Sequence, residues 1–310
     1  MTRNLRYLRS MAFVGLVWAA PALTEPQLHE TPRADGSTIH WTLDRPEGDG
    51  ETALVVIAQG SGCAPAMASL SMRAARAAFA GLAALTVEKY GVDPKDSPAN
   101  DHLDCSQIFR ERHTVSQRIA DYRQIVESLR GAPWWNGKLI LFGGSEGGMT
   151  MAALAADIRA DIGILVSTGG GVTFGEEVRQ AVPEDGRLTA DAAFAKARQN
   201  PDSAELWAGQ SLKYWADGID RRPVDDMLRA DTEFLLIQGA RDASTSVNTA
   251  RMVSDLFAKD GRCNLTYWEF PAFDHGMVDA AGKSHMAEVL SQAALWRNAR
   301  MDMPVTCPAK

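Results

Sequence analysis

Short, wholly apolar runs recur along this chain, each followed by a stretch with a helical stripe. That alternation restricts the fold more than any other feature. Residues 53–58 read Ala-Leu-Val-Val-Ile-Ala and break into Gln59-Gly60-Ser61-Gly62. A run with no polar face suits a strand covered by helices on both sides, as in a parallel sheet. Residues 67–80 read as helix and 81–87 as the next strand, and 114–129 places Val115, Ile119, Tyr122, Ile125, Val126 and Leu129 on one helical face. Further strands are expected at 138–142, 162–167, 233–238 and 264–270, with helices at 146–158, 245–258 and 285–297. Segment 37–43 alternates polar and apolar residues, like an outer strand with one wet face. Strands separated by helices imply right-handed crossovers. The expected fold is therefore a doubly wound, mostly parallel α/β sheet, with ligands at the carboxyl ends of its strands.

One stretch departs from the rhythm. About 65 residues separate the strand ending at Ser167 from the one starting at Glu233, too many for a bare connection. They include a helix-like piece at 189–199 and an aromatic piece at 207–215. The reading is a helical cap insertion, about 170–231, within a single domain covering 23–310. Trp207, Tyr214 and Trp215 could line an acyl pocket or pin this cap to the body. Gly169-Gly170-Gly171 lacks the lysine of a phosphate loop and reads as a flexible lead into the cap.

Residues 1–22 stand apart. Arg3, Arg6 and Arg9 precede an uncharged stretch at 11–20, and Ala20-Pro21-Ala22 offers small residues for cleavage. This is the pattern of an export signal, and its apolar stretch is about half the ~20 residues that span a bilayer. A secreted or periplasmic protein is expected, without stable membrane insertion once the signal is gone. Losing that segment would take the formal charge of the chain from −7 to −10, because it carries three Arg and no acid. There is no basic surplus or stripe, so nucleic acid is not an expected partner. In an oxidising compartment the four cysteines suggest disulfides. Of the three possible pairings, Cys63–Cys105 with Cys263–Cys307 is favoured.

The chemistry centres on Leu141-Phe142-Gly143-Gly144-Ser145-Glu146-Gly147-Gly148, which runs from an expected strand into an expected helix. A turn this tight strains the serine and needs neighbours without bulk. It also lifts the hydroxyl above the sheet edge, at a helix start that favours developing negative charge. A serine needs a base held by a third group. Asp242 follows the 233–238 strand and His275 follows the 264–270 strand, so both belong on the side of Ser145. Asp274 is a rival for the acid, but adjacent side chains rarely face each other. The remaining histidines have no matching position and read as surface or packing residues. A tetrahedral oxyanion needs two N–H groups. One is expected from Glu146, directly after the nucleophile, and the other from Ser61, with Gly62 as second choice. Glu88 and Tyr90 end a strand nearby and could contact substrate, but read more readily as solvated or packing residues.

The strand order, Gly143-x-Ser145-x-Gly147, Asp242 and His275 together resemble the α/β-hydrolase superfamily over roughly residues 50–300. The sequence Gly144-Ser145-Glu146-Gly147-Gly148 is similar to that of its dienelactone-hydrolase and prolyl-oligopeptidase-like branch. Dienelactone hydrolases use a cysteine where this chain has Ser145. The resemblance implies hydrolysis of an ester, thioester or peptide bond through an acyl-enzyme, with neither metal nor organic cofactor. The expectation is a serine esterase acting on a small-molecule ester. A peptidase or thioesterase is the rival reading, and a non-catalytic binding protein the remote one. Oligomeric state is not legible.

Overall fold

The computed structural model describes residues 26–48 and 50–303. The segment read as an export signal, and Cys307, lie outside them. In chain order the strands are β1 (Gln27–Pro32), β2 (Thr38–Asp44), β3 (Thr52–Ala58), β4 (Ala83–Val87), β5 (Trp135–Gly144), β6 (Ile162–Val166), β7 (Leu206–Trp207), β8 (Gln210–Ser211), β9 (Glu233–Gly239) and β10 (Leu265–Phe270). The helices are α1 (Leu70–Ala78), α2 (Gln107–Arg112), α3 (Val115–Ser128), α4 (Glu146–Asp157), α5 (Phe174–Ala181), α6 (Arg187–Gln199), α7 (Leu212–Gly218), α8 (Pro223–Arg229), α9 (Val247–Asp260) and α10 (Met286–Asp302).

Eight strands form one sheet in the order β1-β2-β4-β3-β5-β6-β9-β10. β2 is antiparallel to both β1 and β4, and the pairs from β4 through to β10 are parallel. The period of two along each strand builds two cores. Leu54, Val56 and Ala58 of β3, with Leu139 and Leu141 of β5, face α3 and α4. Ala53, Val55 and Ile57, with Ile140 and Phe142, face α1 and α10. Burying both faces explains why these strands are apolar throughout.

β1 was not anticipated from the sequence. Its exposed or half-buried residues pair only with β2 at the sheet edge, so the segment has no buried face to write an apolar pattern. α2 was also missed; it is one and a half turns long and Phe109 is its one buried residue. The expected helix at 67–80 is shorter, because Ser69 caps α1 by accepting the Met72 N–H.

Between β6 and β9 lie α5, α6, the β7–β8 hairpin, α7 and α8. Leu212, Tyr214 and Trp215 of α7, Ile219, and Val224 and Met227 of α8 join the same core as α3 and α4. These side chains anchor the insertion to the body. Trp215 Nε1 also donates to the Trp207 carbonyl at 2.8 Å, and Trp207 and Trp215 pack edge-on at 5.1 Å. A Cys63–Cys105 disulfide joins the loop after β3 to the segment before α2, with Cα atoms 5.6 Å apart. No described helix is long and apolar enough to cross a membrane.

Candidate active site

β5 ends at Gly144 and α4 begins at Glu146, leaving Ser145 alone to make the turn. Its backbone sits at φ 53°, ψ −124°, a strained conformation for a residue with a Cβ. The Ser145 N–H donates to the Val166 carbonyl of β6 at 2.9 Å, and the Gly148 N–H returns to the Ser145 carbonyl at 2.9 Å. The two glycines of the motif are dictated by crowding. A Cβ on Gly143 would strike the Gly147 carbonyl, and one on Gly147 would strike the Ala58 carbonyl of β3. Strand, turn and helix can thus approach this closely only with glycine at both places.

Asp242 hangs from the loop after β9 and His275 from the loop after β10. His275 Nδ1 and Asp242 Oδ2 are 2.8 Å apart, and the carboxylate is wholly buried while the imidazole is about one-third exposed. Asp242 Oδ1 accepts the N–H groups of Ser244 (2.8 Å) and Thr245 (2.9 Å). Its Oδ2 also accepts from Gln238 Nε2 at 2.8 Å and Thr245 Oγ1 at 2.7 Å. Burial alone would raise this carboxyl, but the bonds from His275 and Thr245 and the charge of the imidazole outweigh it and hold Asp242 below its ordinary range. The His275 loop is fixed from behind by Ser167 Oγ, which donates to the His275 carbonyl at 2.8 Å. With Nδ1 engaged by the acid, Nε2 is the nitrogen left to meet a reacting group. Asp274 takes a different part: its Oδ1 accepts the Gly276 and Val278 N–H groups at 2.9 Å and shapes the turn.

Ser145 and His275 line the same cavity of about 200 Å³, walled on its apolar side by Met72, Phe142 and Met286. A second, more polar cleft of about 230 Å³ also touches both residues and adds Gly60, Ser61, Ser69 and Asp101. A much smaller compartment of about 30 Å³ runs from Ser145 under the insertion, against Met149, Val172, Phe174 and Pro223. Ser145, His275 and Ser61 therefore line one cleft, with Asp242 bonded to the imidazole from behind. The Glu146 N–H opens α4 beside Ser145, where the first N–H groups of a helix have no partner within it. Gly62 is buried, and a Cβ there would lie 3.0 Å from the Asp101 carbonyl oxygen.

Beneath the loop after β3 is a buried ionic cluster that the sequence did not single out. Glu146 Oε1 accepts from Arg118 Nη1 at 2.7 Å and lies 3.6 Å from Lys89 Nζ, while its Oε2 accepts from Tyr214 OH at 2.7 Å. Burial would raise Glu146, but the charges of Lys89 and Arg118 dominate and hold its carboxyl down at about 2. Burial pushes the Lys89 ammonium down to about 8, against the opposing pull of Glu146. His113, stacked between Phe109 and Tyr214, is driven well below the usual histidine range by burial. Glu88, at the end of β4, is pushed up to about 7 by burial although both its oxygens accept the Ala66 N–H. Tyr90 turns away from the cavities, under the Arg33 guanidinium at 4.1 Å. Lys89 and Arg118 carried no recognisable sequence signal, because a lone Lys after a strand and an Arg within a helix ordinarily read as surface residues.

The sheet order, the strained serine between β5 and α4, and the acid and imidazole after β9 and β10 define the α/β-hydrolase fold. No protein-family description matches the chain, and no curated protein matches it by sequence. Solved structures do. Est1E from Butyrivibrio proteoclasticus superposes with a TM-score of 0.63 at 14% identity, covering 89% of this chain and 99% of that one. The same enzyme has been solved with ferulic acid bound. A candidate dienelactone hydrolase from Klebsiella pneumoniae is similar at a TM-score of 0.58 and 17% identity, covering 90% of this chain and 99% of the other. The Pyrococcus horikoshii acylaminoacyl peptidase matches at 0.59 and 14% identity over 88% of this chain, but over 41% of its own length.

Proposed function

We propose that the chain is a serine hydrolase that cleaves a carboxylic ester of a small or medium-sized substrate through an acyl-enzyme. The observation that carries this reading is the 2.8 Å bond between His275 Nδ1 and the buried Asp242, on the rim where strained Ser145 meets the cavity. Ser145 Oγ attacks the acyl carbonyl carbon as its proton passes to His275 Nε2. Asp242 fixes the imidazole tautomer and stabilises the imidazolium. The oxyanion accepts from the N–H groups of Ser61 and Glu146. Collapse expels the alcohol, which takes the proton from His275, and water deprotonated by the same imidazole then frees the acid. Est1E, solved with ferulic acid, makes esters of hydroxycinnamic acids reasonable members of the substrate panel.

Export from the cytoplasm is part of the same proposal. The basic, apolar and small-residue succession over 1–22 and the Cys63–Cys105 disulfide support it. Hydrolysis of p-nitrophenyl acetate by purified protein tests the activity. Ser145→Ala is expected to lower kcat by at least about 10³-fold while the fold is kept. A Ser145→Ala protein as fast as the parent would remove the nucleophile.

A further inference from the structure

Lys89 is 1% exposed, and its ammonium donates to the carbonyls of Gly60 at 2.6 Å and Gly62 at 2.7 Å. Beside it, Arg118 Nη2 donates to the Gln59 carbonyl at 2.7 Å. Three carbonyls of one short loop are thus drawn inward by two buried cations. In a planar trans peptide the C=O and the next N–H point opposite ways. Fixing the Gly60 carbonyl on Lys89 therefore turns the Ser61 N–H outward, toward the cleft that Gly60 and Ser61 share with Ser145 and His275. Gly60 is close enough for this to matter, since a Cβ there would lie 3.5 Å from Ser145 Cβ.

We propose that Lys89 is a positioning residue for the oxyanion site: clamped on the Gly60 and Gly62 carbonyls, its ammonium aims the Ser61 N–H at the developing negative charge. The counter-ion of Lys89 is the side chain of Glu146, whose own N–H is the second donor. One buried ion cluster therefore sets both donors in register. Arg118 completes it, bonded to Glu146 on one arm and to the Gln59 carbonyl on the other. The inference rests on the serine-hydrolase reading above, and it assigns no contact between Lys89 and substrate.

The test uses the full chain with Lys89→Met, which keeps the stem without donors, and Lys89→Gln, which keeps an N–H pair on a shorter arm. Active sites are counted by stoichiometric fluorophosphonate labelling. For p-nitrophenyl acetate, kcat per labelled site and KM are measured, with the affinity for an arylboronic acid that forms a tetrahedral adduct. Lys89→Met is expected to lose about 100-fold in kcat and a similar factor in boronate affinity, with KM changed less than about threefold; Lys89→Gln is expected to lose about tenfold. If the Met variant does not fold, the Gln variant decides alone. Parental kcat and boronate affinity per labelled site in a folded variant would overturn the proposal, as would a change confined to KM. Failure of the parent to label or to hydrolyse esters would instead count against the serine-hydrolase reading, so the two failures are separable.

Discussion

At the scale of single residues, the acid is the most heavily held group of the site. Asp242 takes five hydrogen bonds, from Gln238 Nε2, Thr245 Oγ1, His275 Nδ1 and the N–H groups of Ser244 and Thr245. In the proposed mechanism a carboxylate so furnished stays ionised and rigid through the proton transfers at the imidazole. Asp242→Asn should lower kcat by about 10⁴-fold, because an amide N–H facing the imidazole selects the wrong tautomer. Thr245→Val removes one charge-assisted bond worth about 1.5–3 kcal/mol; only the part that strengthens as the imidazolium forms acts on kcat, which should fall by up to about tenfold with KM little changed. Steady-state kinetics on p-nitrophenyl acetate check both; a Thr245→Val enzyme with parental kcat would show that the remaining four bonds suffice. Ser145, Asp242 and His275 could be picked out as candidates because each lies within five residues of the end of an expected strand. Gln238 and Thr245 could not, since a glutamine inside a strand and a threonine in a turn have no pattern that betrays a shared carboxylate.

At the scale of elements, the elbow between β5 and α4 is held by contact rather than by flexibility. Gly147→Ala drives a methyl into the Ala58 carbonyl and should cost about 1–3 kcal/mol or more. Gly50→Ala, where a Cβ meets open space, is the control and should stay within about 0.5 kcal/mol. Urea unfolding of the two variants distinguishes crowding from a general intolerance of substitution. The loop after β3 is pinned from its other end by Cys63–Cys105, which spans 42 residues and is worth about 4 kcal/mol in the chain-entropy model. Cys63→Ala/Cys105→Ala, which opens this bridge alone, should lower the urea midpoint by a corresponding amount and, given the donor role proposed for Ser61, reduce kcat, since Cys63 follows it by two residues. Unchanged kcat in the folded double variant would assign the bridge to stability alone. Strands with two buried faces announced themselves in the sequence; β1 and α2 did not, since neither buries enough side chains to impose a period.

For the whole molecule, the ionic cluster under the site couples stability to pH. Burial raises the Glu88 carboxyl to about 7 in the folded state, against about 4.3 for an unperturbed glutamate. Its folded form holds the proton that the unfolded chain has released. Stability from this group is therefore full below about pH 4.3 and is lost as pH rises to about 7. Glu88→Gln keeps an acceptor for the Ala66 N–H and removes the titration. The variant should match the parent near pH 4 and exceed it by about 1–3 kcal/mol at pH 8. Denaturant melts across that range check the sign, and a gap independent of pH would place the titration elsewhere. The doubly wound plan and the helical insertion were readable from pattern and spacing. The polar foundation was not, because Lys89, Arg118, Glu146 and Tyr214 come from four separate elements, and long-range pairing leaves no local trace. The position of Trp207, Tyr214 and Trp215 was open in the sequence and is resolved by packing: they hold the insertion down and do not line the cavities.

The central claim is that one serine, activated by one imidazole, does the chemistry. The most direct measurement is intact-mass and peptide analysis after treatment with a fluorophosphonate. A single adduct on Ser145, formed by the parent and slowed by at least about 10³-fold in His275→Ala, is the predicted result. No adduct, or one on another residue at the same rate in both proteins, would contradict the account.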